Sequence, residues 1–312
     1  MRRIALVVVL LAACRTAAVN PAPASATPSA AVAGAAPRGA LVILGGGPRP
    51  DDVMSRFVAL AGGPGRAEIV VLPMASGEGA EAGEQQAERF RRMGARARSL
   101  QLVRADADAD STAEILSRAT GVWFGGGDQS RLTGVLLGTR AARIIRDRYV
   151  QGAVVGGTSA GAAVMTTPMI TGDERRRGGD RYPSDSSDTF LTIARGNVVT
   201  AEGFGLLPGA IVDQHFFRRK RHNRLVSLVL EHPTIIGVGI DEGTAVVVRP
   251  DGRWEVVGQS AAVVYDARTA SVTPPSARVL GAAGVRMHVL GPGSVYDPRT
   301  GRVEVLGGDG SP

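Results

Sequence analysis

A serine between glycines stands where a run of small apolar residues meets a run of helix formers. The segment Gly157-Thr158-Ser159-Ala160-Gly161 fits the pattern G-x-S-x-G at a predicted strand-to-helix turn. Such a turn exposes the hydroxyl above a sheet, and the amide of Ala160, at the start of the helix, can donate to an oxyanion. The pattern alone leaves two interpretations open. Ser159 is a nucleophile, or it is a small residue that fits a sharp turn.

A serine nucleophile needs a general base, and the chain contains four histidines. His215 ends an apolar segment, in the sequence VDQHF, and is expected to emerge at the same edge of the sheet as Ser159. The others lie on a predicted surface helix, at its end and in a predicted strand, and are interpreted as structural or solvated: His222, His232 and His288. His215 is therefore the candidate base, with a hydrogen-bonded core histidine as the alternative.

The carboxylate that would orient this base is less well determined. The polar segment after Met169 supplies the candidates, which are Asp173, Glu174, Asp180, Asp185 and Asp188. Position in the sequence does not separate a carboxylate that orients a histidine from one that pairs with the arginines at 175–177.

Two further features converge on the same edge of the sheet. The segment GGGDQSRL at 125–132 has three glycines whose amides can complete an oxyanion hole, and it places Asp128 and Gln129 beside them. The alternative, a phosphate-binding loop, lacks the lysine and the Ser/Thr of a P-loop. Three arginines follow the candidate base, and their guanidinium groups suit a substrate rich in carboxylates: Arg219, Arg221 and Arg224.

The elements that must position these residues alternate between strand and helix from residue 40 onward. Continuous apolar runs, each followed by an amphipathic segment, predict a parallel sheet with helices on both faces. In such sheets ligands bind at the carboxyl ends of the strands. A strand is predicted at 99–103, a long polar loop at 171–190 and a set of β-hairpins from Thr244 to residue 310.

Composition narrows the class of protein. The chain has 312 residues and 44% hydrophobic content, which favours one main domain. Its single cysteine excludes a disulfide framework, a thiol nucleophile and a cysteine-based zinc site in the mature domain. The net charge is +7, and basic runs at 175–177 and 218–224 suggest an acidic partner. Nucleic acid is disfavoured as that partner, because the aromatic content is 4% and no binding motif accompanies the basic runs.

The N-terminus has the form of an export signal. Two arginines and a short apolar run lead to Leu11-Ala12-Ala13-Cys14, which resembles a bacterial lipobox with Cys14 as the lipidated residue. The alternative is an ordinary secretory signal that contains a cysteine. Residues 15–39 are rich in Ala, Pro and Ser and are interpreted as a tether. The predicted organisation is thus a signal peptide at 1–14, a tether at 15–39 and a domain at 40–312, held at the cell envelope.

Four motifs occur in an order that resembles a known family. FGGGDQ, GGTSAGAAVM, DQHFFRRKRHNRL and GVGIDEGTA are similar to the motifs of the cyanophycinases, in the serine peptidase family that includes the aspartyl dipeptidases. The resemblance extends over most of residues 40–306. It implies a flavodoxin-like fold of the class I glutamine amidotransferase type: a three-layer α/β structure with helices on both faces of a parallel sheet, plus a β-rich C-terminal annex.

The resemblance also implies roles for individual residues. Ser159 would be the nucleophile, His215 the base and Glu174 the acid, and the amides of Gly127 and Ala160 would form the oxyanion hole. Substrate binding would fall to Gln129, Asp213, Gln214, Arg219, Arg221 and Arg224. No cofactor and no metal are implied. The segment at 175–188 is longer and more basic than the family pattern, which leaves the acid and the specificity open.

Cyanophycinases cleave multi-L-arginyl-poly-L-aspartate to β-aspartyl-arginine dipeptides, so the expected substrate is that polymer or a peptide. Three alternatives stay open: an α/β-hydrolase, an isoaspartyl dipeptidase or other exopeptidase that acts on short acidic peptides, and a non-catalytic surface binding protein with the same fold. Spacing disfavours the α/β-hydrolase, because His215 follows Ser159 by only 56 residues and no HGGG-type loop precedes the serine. The oligomeric state is open, with a homodimer as one option.

Overall fold

Strands and helices alternate through the first half of the described chain, and strands dominate the rest. The computed structural model describes residues 36–175, 190 and 192–305. The strands are β1 (Leu41–Leu44), β2 (Glu68–Leu72), β3 (Arg96–Ser99), β4 (Gly121–Phe124), β5 (Val154–Thr158), β6 (Met169–Glu174), β7 (Val198–Ala201), β8 (Ala210–Gln214), β9 (Ile236–Ile240), β10 (Thr244–Val248), β11 (Trp254–Gly258), β12 (Ala262–Asp266), β13 (Ser271–Val272), β14 (Ala282–Ala283), β15 (Arg286–Leu290), β16 (Val295–Asp297) and β17 (Arg302–Glu304). The helices are α1 (Asp51–Leu60), α2 (Gly79–Arg92), α3 (Asp110–Arg118), α4 (Gln129–Leu136), α5 (Arg140–Gln151), α6 (Ala160–Ala163) and α7 (His222–Glu231), with a 3-10 helix at Arg104–Asp108.

The main sheet has nine strands in the order β17-β16-β11-β10-β1-β5-β4-β2-β3. Five adjacent strands of this sheet pair in parallel, in the order β1-β5-β4-β2-β3. The other four continue the sheet with antiparallel pairing, which begins where β10 lies beside β1. The carboxyl ends of β1, β4 and β5 therefore meet at one edge, which is where the site lies.

Both faces of the parallel strands are buried, which explains why these strands read as continuous apolar runs. On one face Val42, Val71 and Trp123 pack against α1 and α2. The Trp123 ring meets that of Phe57 edge-on, with centroids 5.0 Å apart. On the other face, residues such as Phe124 pack against α4, α5 and α6. The predicted α/β fold with helices on both faces of a largely parallel sheet is confirmed.

A second sheet of four strands has the order β15-β12-β9-β8. Its strands β8 and β9 are parallel, whereas β12 and β15 pair antiparallel. One face contributes Val212, Val238 and Val264 to the core shared with the main sheet. The opposite face contributes Ile211 and Val263 to a cluster with α7.

The predicted β-rich C-terminal region is present as extra strands. These strands do not form an annex of their own, because β10, β11, β16 and β17 extend the main sheet while β12 and β15 extend the second sheet. The polypeptide between β9 and β10 is a short connection that passes from one sheet to the other. Residues in that connection are thus fixed by both sheets.

Two local predictions are wrong within the residues that the structure describes, which leave out 176–189. The strand predicted at 99–103 lies earlier, as β3, because Arg96–Ser99 pairs with β2 while the apolar residues after it leave the sheet edge. The loop predicted at 171–190 begins inside a strand, since β6 extends to Glu174 and pairs with β7. Here strand pairing outweighs the polar composition on which the loop prediction relied.

Several predictions concern residues outside the described ranges. They are the signal peptide with Cys14, the tether up to residue 35, the candidate acids Asp180, Asp185 and Asp188, and the end of the β-rich region from residue 306. Where the structure describes the chain, each helix is too short or too polar to cross a membrane.

Candidate active site

Ser159 occupies a strained turn between β5 and α6. Its backbone has φ 54° and ψ −109°, in a region that residues with a side chain seldom adopt. A Cβ on Gly157 would overlap the backbone of Gly161, and a Cβ on Gly161 would overlap the backbone of Phe124. Only glycine therefore fits at these two positions, and together they let the chain reverse sharply and expose the serine hydroxyl.

His215 lies directly against this serine. Its Nε2 is 2.9 Å from the Oγ of Ser159, within hydrogen-bonding distance. Ser159 and His215 thus lie close together, as predicted, but the strand that leads to His215 belongs to a different sheet from the one expected. His215 follows β8 of the second sheet, rather than a strand of the sheet that carries Ser159. Its backbone amide donates to the carbonyl of Gly45, at the end of β1, at 2.7 Å, and this bond fixes the two sheet edges together.

Glu242 is the carboxylate that orients the histidine. Its Oε1 is 2.6 Å from the Nδ1 of His215. The prediction of Glu174 for this position is wrong, because Glu174 ends β6 and its Oε1 accepts from the amide of Phe190 at 2.9 Å. The alternative Asp173 is 3.4 Å from the hydroxyl of Thr171, on the same strand. Ser159, His215 and Glu242 form a continuous hydrogen-bonded chain.

The connection between β9 and β10 holds Glu242 in place. The neighbouring Asp241 accepts from the amide of Arg218 at 3.0 Å and from the hydroxyl of Ser260 at 2.9 Å. These contacts tie the connection both to the segment after His215 and to the segment before β12. Glu242 itself is half-buried, with 27% of its side chain exposed. Its carboxylate is therefore positioned from both sheets and is partly shielded from water.

A glycine turn after β1 packs against this pair and was not identified from the sequence. A Cβ on Gly46 would overlap the imidazole of His215, and one on Gly47 would lie 2.7 Å from Oε2 of Glu242. Both glycines also have positive φ, at 111° and 66°. The run Gly45-Gly46-Gly47 after an apolar strand was the available signal, since it repeats the strand-then-glycine pattern seen before Ser159.

Burial lowers the pKa of the His215 imidazole below its usual 6.5. The hydrogen bond that the Glu242 carboxylate accepts from His215 raises this pKa, and the nearby charge of Arg219 adds to the lowering. Neutral imidazole, the form that can accept a proton, is therefore retained to a lower pH than in an unperturbed histidine.

Loss of the Arg219 charge is expected to shift the acid limb of the pH profile. A cation that lowers the histidine pKa is removed in Arg219→Gln, so this pKa rises and kcat/KM begins to fall at a higher pH, by less than about one pH unit. The measurement is kcat/KM of a peptide substrate against pH at low salt. Arg218→Gln is the matched control, because Arg218 is also exposed and is not among the groups that shift His215. An acid limb that moves equally in both variants would contradict this assignment.

Backbone amides lie where an oxyanion would form. A Cβ on Gly126 would be 3.5 Å from the Cβ of Ser159, which places the glycine turn after β4 beside the serine. Gly127 follows with φ 135°, and a Cβ there would overlap the carbonyl of Ala75. Within the described residues, the amides of Gly127 and Ala160 donate to no protein acceptor. Both predicted amides are therefore free to bind a ligand.

Two residues predicted to bind substrate are instead buried against each other. Asp213 is fully buried and Arg224 is 2% exposed. Arg224 Nε donates to Asp213 Oδ2 at 2.7 Å, and its Nη2 donates to the other oxygen. The prediction of substrate contact is wrong for this pair, because neither side chain is accessible from solvent. The ion pair joins β8 to α7 and so fixes the segment that carries His215.

The other residues near His215 that are predicted to bind substrate, Gln214, Arg219 and Arg221, differ in their exposure to solvent. Arg221 Nη1 donates to the carbonyl of Gln214 at 2.7 Å and also to its side chain. Burial lowers the pKa of Arg221 to about 10, and the neighbouring Arg224 charge contributes. Arg219 is exposed, and its amide donates to the carbonyl of His215 at 2.9 Å. Of the three predicted arginines, Arg219 is thus the one that is exposed to solvent.

Gln129 has a structural contact that the sequence did not indicate. It is buried at the start of α4, and its Nε2 donates to the carbonyl of Ile170 at 2.9 Å and to that of Thr171. Asp128 caps the same helix through the amide of Ser130 at 2.8 Å. The amide nitrogen of Gln129 therefore anchors β6 beside the site rather than pointing to solvent.

Removal of one partner of the buried Asp213–Arg224 pair is expected to destabilise the fold by about 3–5 kcal/mol. The reason is that the buried Asp213 would lose its nearest counter-ion and keep only Arg221, whose Nη1 is 3.7 Å from Oδ1. The free energy of unfolding of Arg224→Met is measured by urea denaturation. The control is Arg118→Met, which breaks an exposed pair with Glu114 and should cost less than about 1 kcal/mol. Equal losses in the two variants would contradict the structural role of the buried pair.

The arrangement of these groups indicates a class of reaction. The hydrogen-bonded serine, histidine and glutamate, next to free backbone amides, have the arrangement that is typical of serine-type hydrolases.

Comparison with known proteins places the chain in a family. The sequence model of peptidase family S51 matches residues 41–254. A cyanophycinase of Synechococcus elongatus is 35% identical over 277 residues, covering 86% of this chain and 81% of that protein. A cyanophycinase of Geminocystis herdmanii (strain PCC 6308) is 33% identical over 273 residues, covering 84% of this chain and 95% of that protein. The chain belongs to peptidase family S51 and is a serine-type peptidase.

A solved structure shows the same fold. The crystal structure of a peptidase from an acI-B1 Actinobacterium superimposes with a TM-score of 0.57 and 24% sequence identity. The match covers 81% of this chain and 97% of that chain. The overall fold of this chain therefore has a counterpart among solved structures.

Proposed function

We propose that this peptidase hydrolyses cyanophycin, multi-L-arginyl-poly-L-aspartate, and releases β-Asp-Arg dipeptides. The observation that carries the proposal is the exposed Arg219, whose backbone amide donates to the carbonyl of His215 in the hydrogen-bonded Ser159–His215 pair. Its guanidinium suits the α-carboxylates that the arginine residues of the polymer carry. The two relatives described above are named as cyanophycinases, which supports the same substrate.

The proposed first step is acylation of Ser159. Nε2 of His215 takes the hydroxyl proton while Oγ attacks a backbone carbonyl of the aspartate chain. Glu242 keeps the imidazole in the orientation and tautomer that this transfer needs, and it stabilises the imidazolium that forms. The amides of Gly127 and Ala160 donate to the developing oxyanion.

The acyl-enzyme is then resolved by water. The imidazolium of His215 gives its proton to the leaving amine, which departs with one part of the substrate. Neutral His215 next takes a proton from water, and the hydroxide attacks the ester carbon on Ser159. Collapse of the second tetrahedral intermediate returns the proton to Oγ and frees the carboxylate product.

The substrate test compares a polymer with short peptides. The purified protein is incubated with insoluble cyanophycin, and released β-Asp-Arg is detected by mass spectrometry. Poly-L-aspartate without arginine is the control for recognition of the side chains, and we expect slower cleavage of it. Hydrolysis of short aspartyl peptides without release from the polymer would replace the proposal with an isoaspartyl dipeptidase. Binding of polymer without hydrolysis of any substrate would instead favour the non-catalytic binding protein.

We further propose that the protein is exported and anchored by lipid on Cys14. The sequence of the first fourteen residues supports this proposal, since a short apolar run leads directly to the cysteine. Expression of the chain and of Cys14→Ser in a bacterial host, followed by cell fractionation and mass spectrometry of the N-terminus, tests it. Lipid on the unmodified chain and its loss in the variant are expected. A variant that is still lipidated would refute the assignment.

A further inference from the structure

A charged groove lies at the β3 edge of the main sheet. Strand β3 is the outermost strand there, and a groove of about 640 Å³ lies between it and helix α3. This groove is defined here as the β3 groove. Its walls carry six charged side chains, which are Arg91, Arg96, Arg98, Arg118, Glu68 and Glu114. The hydrogen-bonded chain of Ser159, His215 and Glu242 does not line it, so it is a surface separate from the site.

Arginines outnumber acids in the β3 groove, and two of them share one face of the strand. Arg96 and Arg98 are two residues apart on β3, so their side chains leave the same face, about 6.6 Å apart along the strand. Both are exposed, and within the part of the chain that the structure describes the Arg98 guanidinium has no ion pair and no hydrogen bond. Arg91 Nη1 donates to the carbonyl of Ala97 at 2.9 Å, which holds a third guanidinium at the strand edge.

Two glutamates give the groove charges of the opposite sign. Glu68 Oε1 is 3.5 Å from Nη1 of Arg96, and Glu114 Oε1 is 2.6 Å from Nη2 of Arg118. All four side chains are at least 43% exposed. Exposed ion pairs of this kind contribute little to stability, so a ligand can replace them at low cost. A ligand that carries both carboxylates and cations therefore fits the groove, whereas a pure polyanion would meet two carboxylates.

We propose that the β3 groove is a second binding site for cyanophycin, which holds the polymer away from the reacting serine; this inference rests on the proposed function. Every residue of the polymer carries an arginine, whose α-carboxylate and guanidinium both lie at the end of the side chain. Arg96 and Arg98 would bind the carboxylates. Glu68 and Glu114 would bind the guanidinium groups. In an extended polymer the side chains on one face recur about every 6.6 Å, which is the spacing of Arg96 and Arg98.

The distance between the groove and Ser159 sets a minimum length for a polymer that occupies both. Strand β3 lies three strand spacings from β5, which is about 14 Å. Through the register of the strands between them, Arg98 is level with Val155, which lies about 13 Å before Ser159 along the strand direction. The separation is thus about 20 Å, and an extended backbone needs at least about six residues to span it. A short peptide therefore occupies one site at a time, whereas the polymer can be held at both.

Co-sedimentation with insoluble cyanophycin tests the binding. Ser159→Ala is the starting protein, so that the polymer stays intact. The addition of Arg96→Gln and Arg98→Gln should raise the Kd about 10-fold. The matched control adds Arg140→Gln and Arg143→Gln, an equal loss of charge on helix α5, where both arginines are exposed and Arg140 also pairs with an exposed acid at 2.6 Å. This control should bind as Ser159→Ala does.

Rates of the active protein give a second readout. With Arg96→Gln and Arg98→Gln, kcat/KM for the polymer should fall about 10-fold. For a soluble oligomer of three repeating units, kcat/KM should change by less than about twofold, because this oligomer is too short to reach the groove. Glu68→Gln with Glu114→Gln should weaken binding of cyanophycin and strengthen binding of poly-L-aspartate, since only cyanophycin carries guanidinium groups.

Three results would overturn the assignment of the β3 groove. They are unchanged binding after loss of Arg96 and Arg98, equal weakening by the control on α5, and tighter binding of cyanophycin after removal of the two glutamates. The last result would identify the groove as a site for polyanions instead. If the double arginine variant fails to fold, Arg118→Gln takes its place, and about threefold weaker binding is expected because Arg118 supplies one of the four cations.

The groove and the proposed function fail separately. Unmodified protein that releases no β-Asp-Arg, but binds the polymer through Arg96 and Arg98, would overturn the function and support the groove. Release of β-Asp-Arg with binding and rates that do not depend on these arginines would support the function and overturn the groove.

Discussion

Replacement of Ser159 by alanine is expected to reduce kcat on the order of a million-fold. Alanine has no hydroxyl, so no acyl-enzyme can form, and His215 would have no proton to accept. Residual hydrolysis would come from the oxyanion amides and from binding alone. The measurement is single-turnover release of product from the polymer or from an aspartyl peptide, with the detection limit set by enzyme-free hydrolysis.

The matched control for this variant is Ser130→Ala. Ser130 is an exposed serine on the first turn of α4, close in sequence to the glycine turn beside the site. Its replacement should leave kcat within a factor of a few. Both variants should unfold at the same urea concentration as the unmodified protein. Near-normal turnover by Ser159→Ala in a folded protein would remove Ser159 from the mechanism.

Replacement of Glu242 by glutamine is expected to lower kcat about 10⁴-fold. The amide keeps the size of the side chain but loses the charge that stabilises the imidazolium, and it can hold the wrong tautomer of His215. The hydrogen bond and charge of Glu242 also raise the pKa of His215, so this pKa should fall further in the variant. The measurements are kcat and the titration of His215 by NMR.

Glu174→Gln is the decisive comparison for Glu242→Gln. Glu174 is the carboxylate that the sequence favoured, and its Oε1 accepts from a backbone amide instead of from His215. Its replacement should change kcat by no more than a few-fold and leave the pKa of His215 as it was. A loss confined to Glu174→Gln, with Glu242→Gln still active, would show that the other carboxylate orients the base.

Local sequence patterns predict two of the three residues in the hydrogen-bonded chain at the sheet edge. Ser159 follows an apolar strand and lies between glycines, and His215 also ends an apolar strand. Glu242 follows the strand β9 and could have been found by the same reasoning, since it stands in GVGIDEGTA. Carboxylates are more frequent in the polar segment after Met169, so composition favours an acid from that segment over Glu242. Frequency of a residue type was a weaker guide than its position at the end of a strand.

Other features depend on contacts that no local pattern reports. The division into two sheets is decided by pairing between distant segments, such as β10 with β1 and β12 with β9. The burial of Asp213 with Arg224 follows from that pairing, because both lie between the second sheet and its helix. A charged residue that the sequence predicts to contact substrate can thus form a buried ion pair within the fold.

The hydrogen-bonded chain of Ser159, His215 and Glu242 also sets when the protein becomes active as it folds. The five parallel strands, of which β5 leads to the serine, all lie before residue 159 in the sequence. The histidine and the glutamate belong to later segments, namely the end of β8 and the connection between β9 and β10. A chain in which only the five parallel strands have formed therefore holds a serine without a base, and hydrolytic activity requires that β8 and the connection between β9 and β10 are also in place.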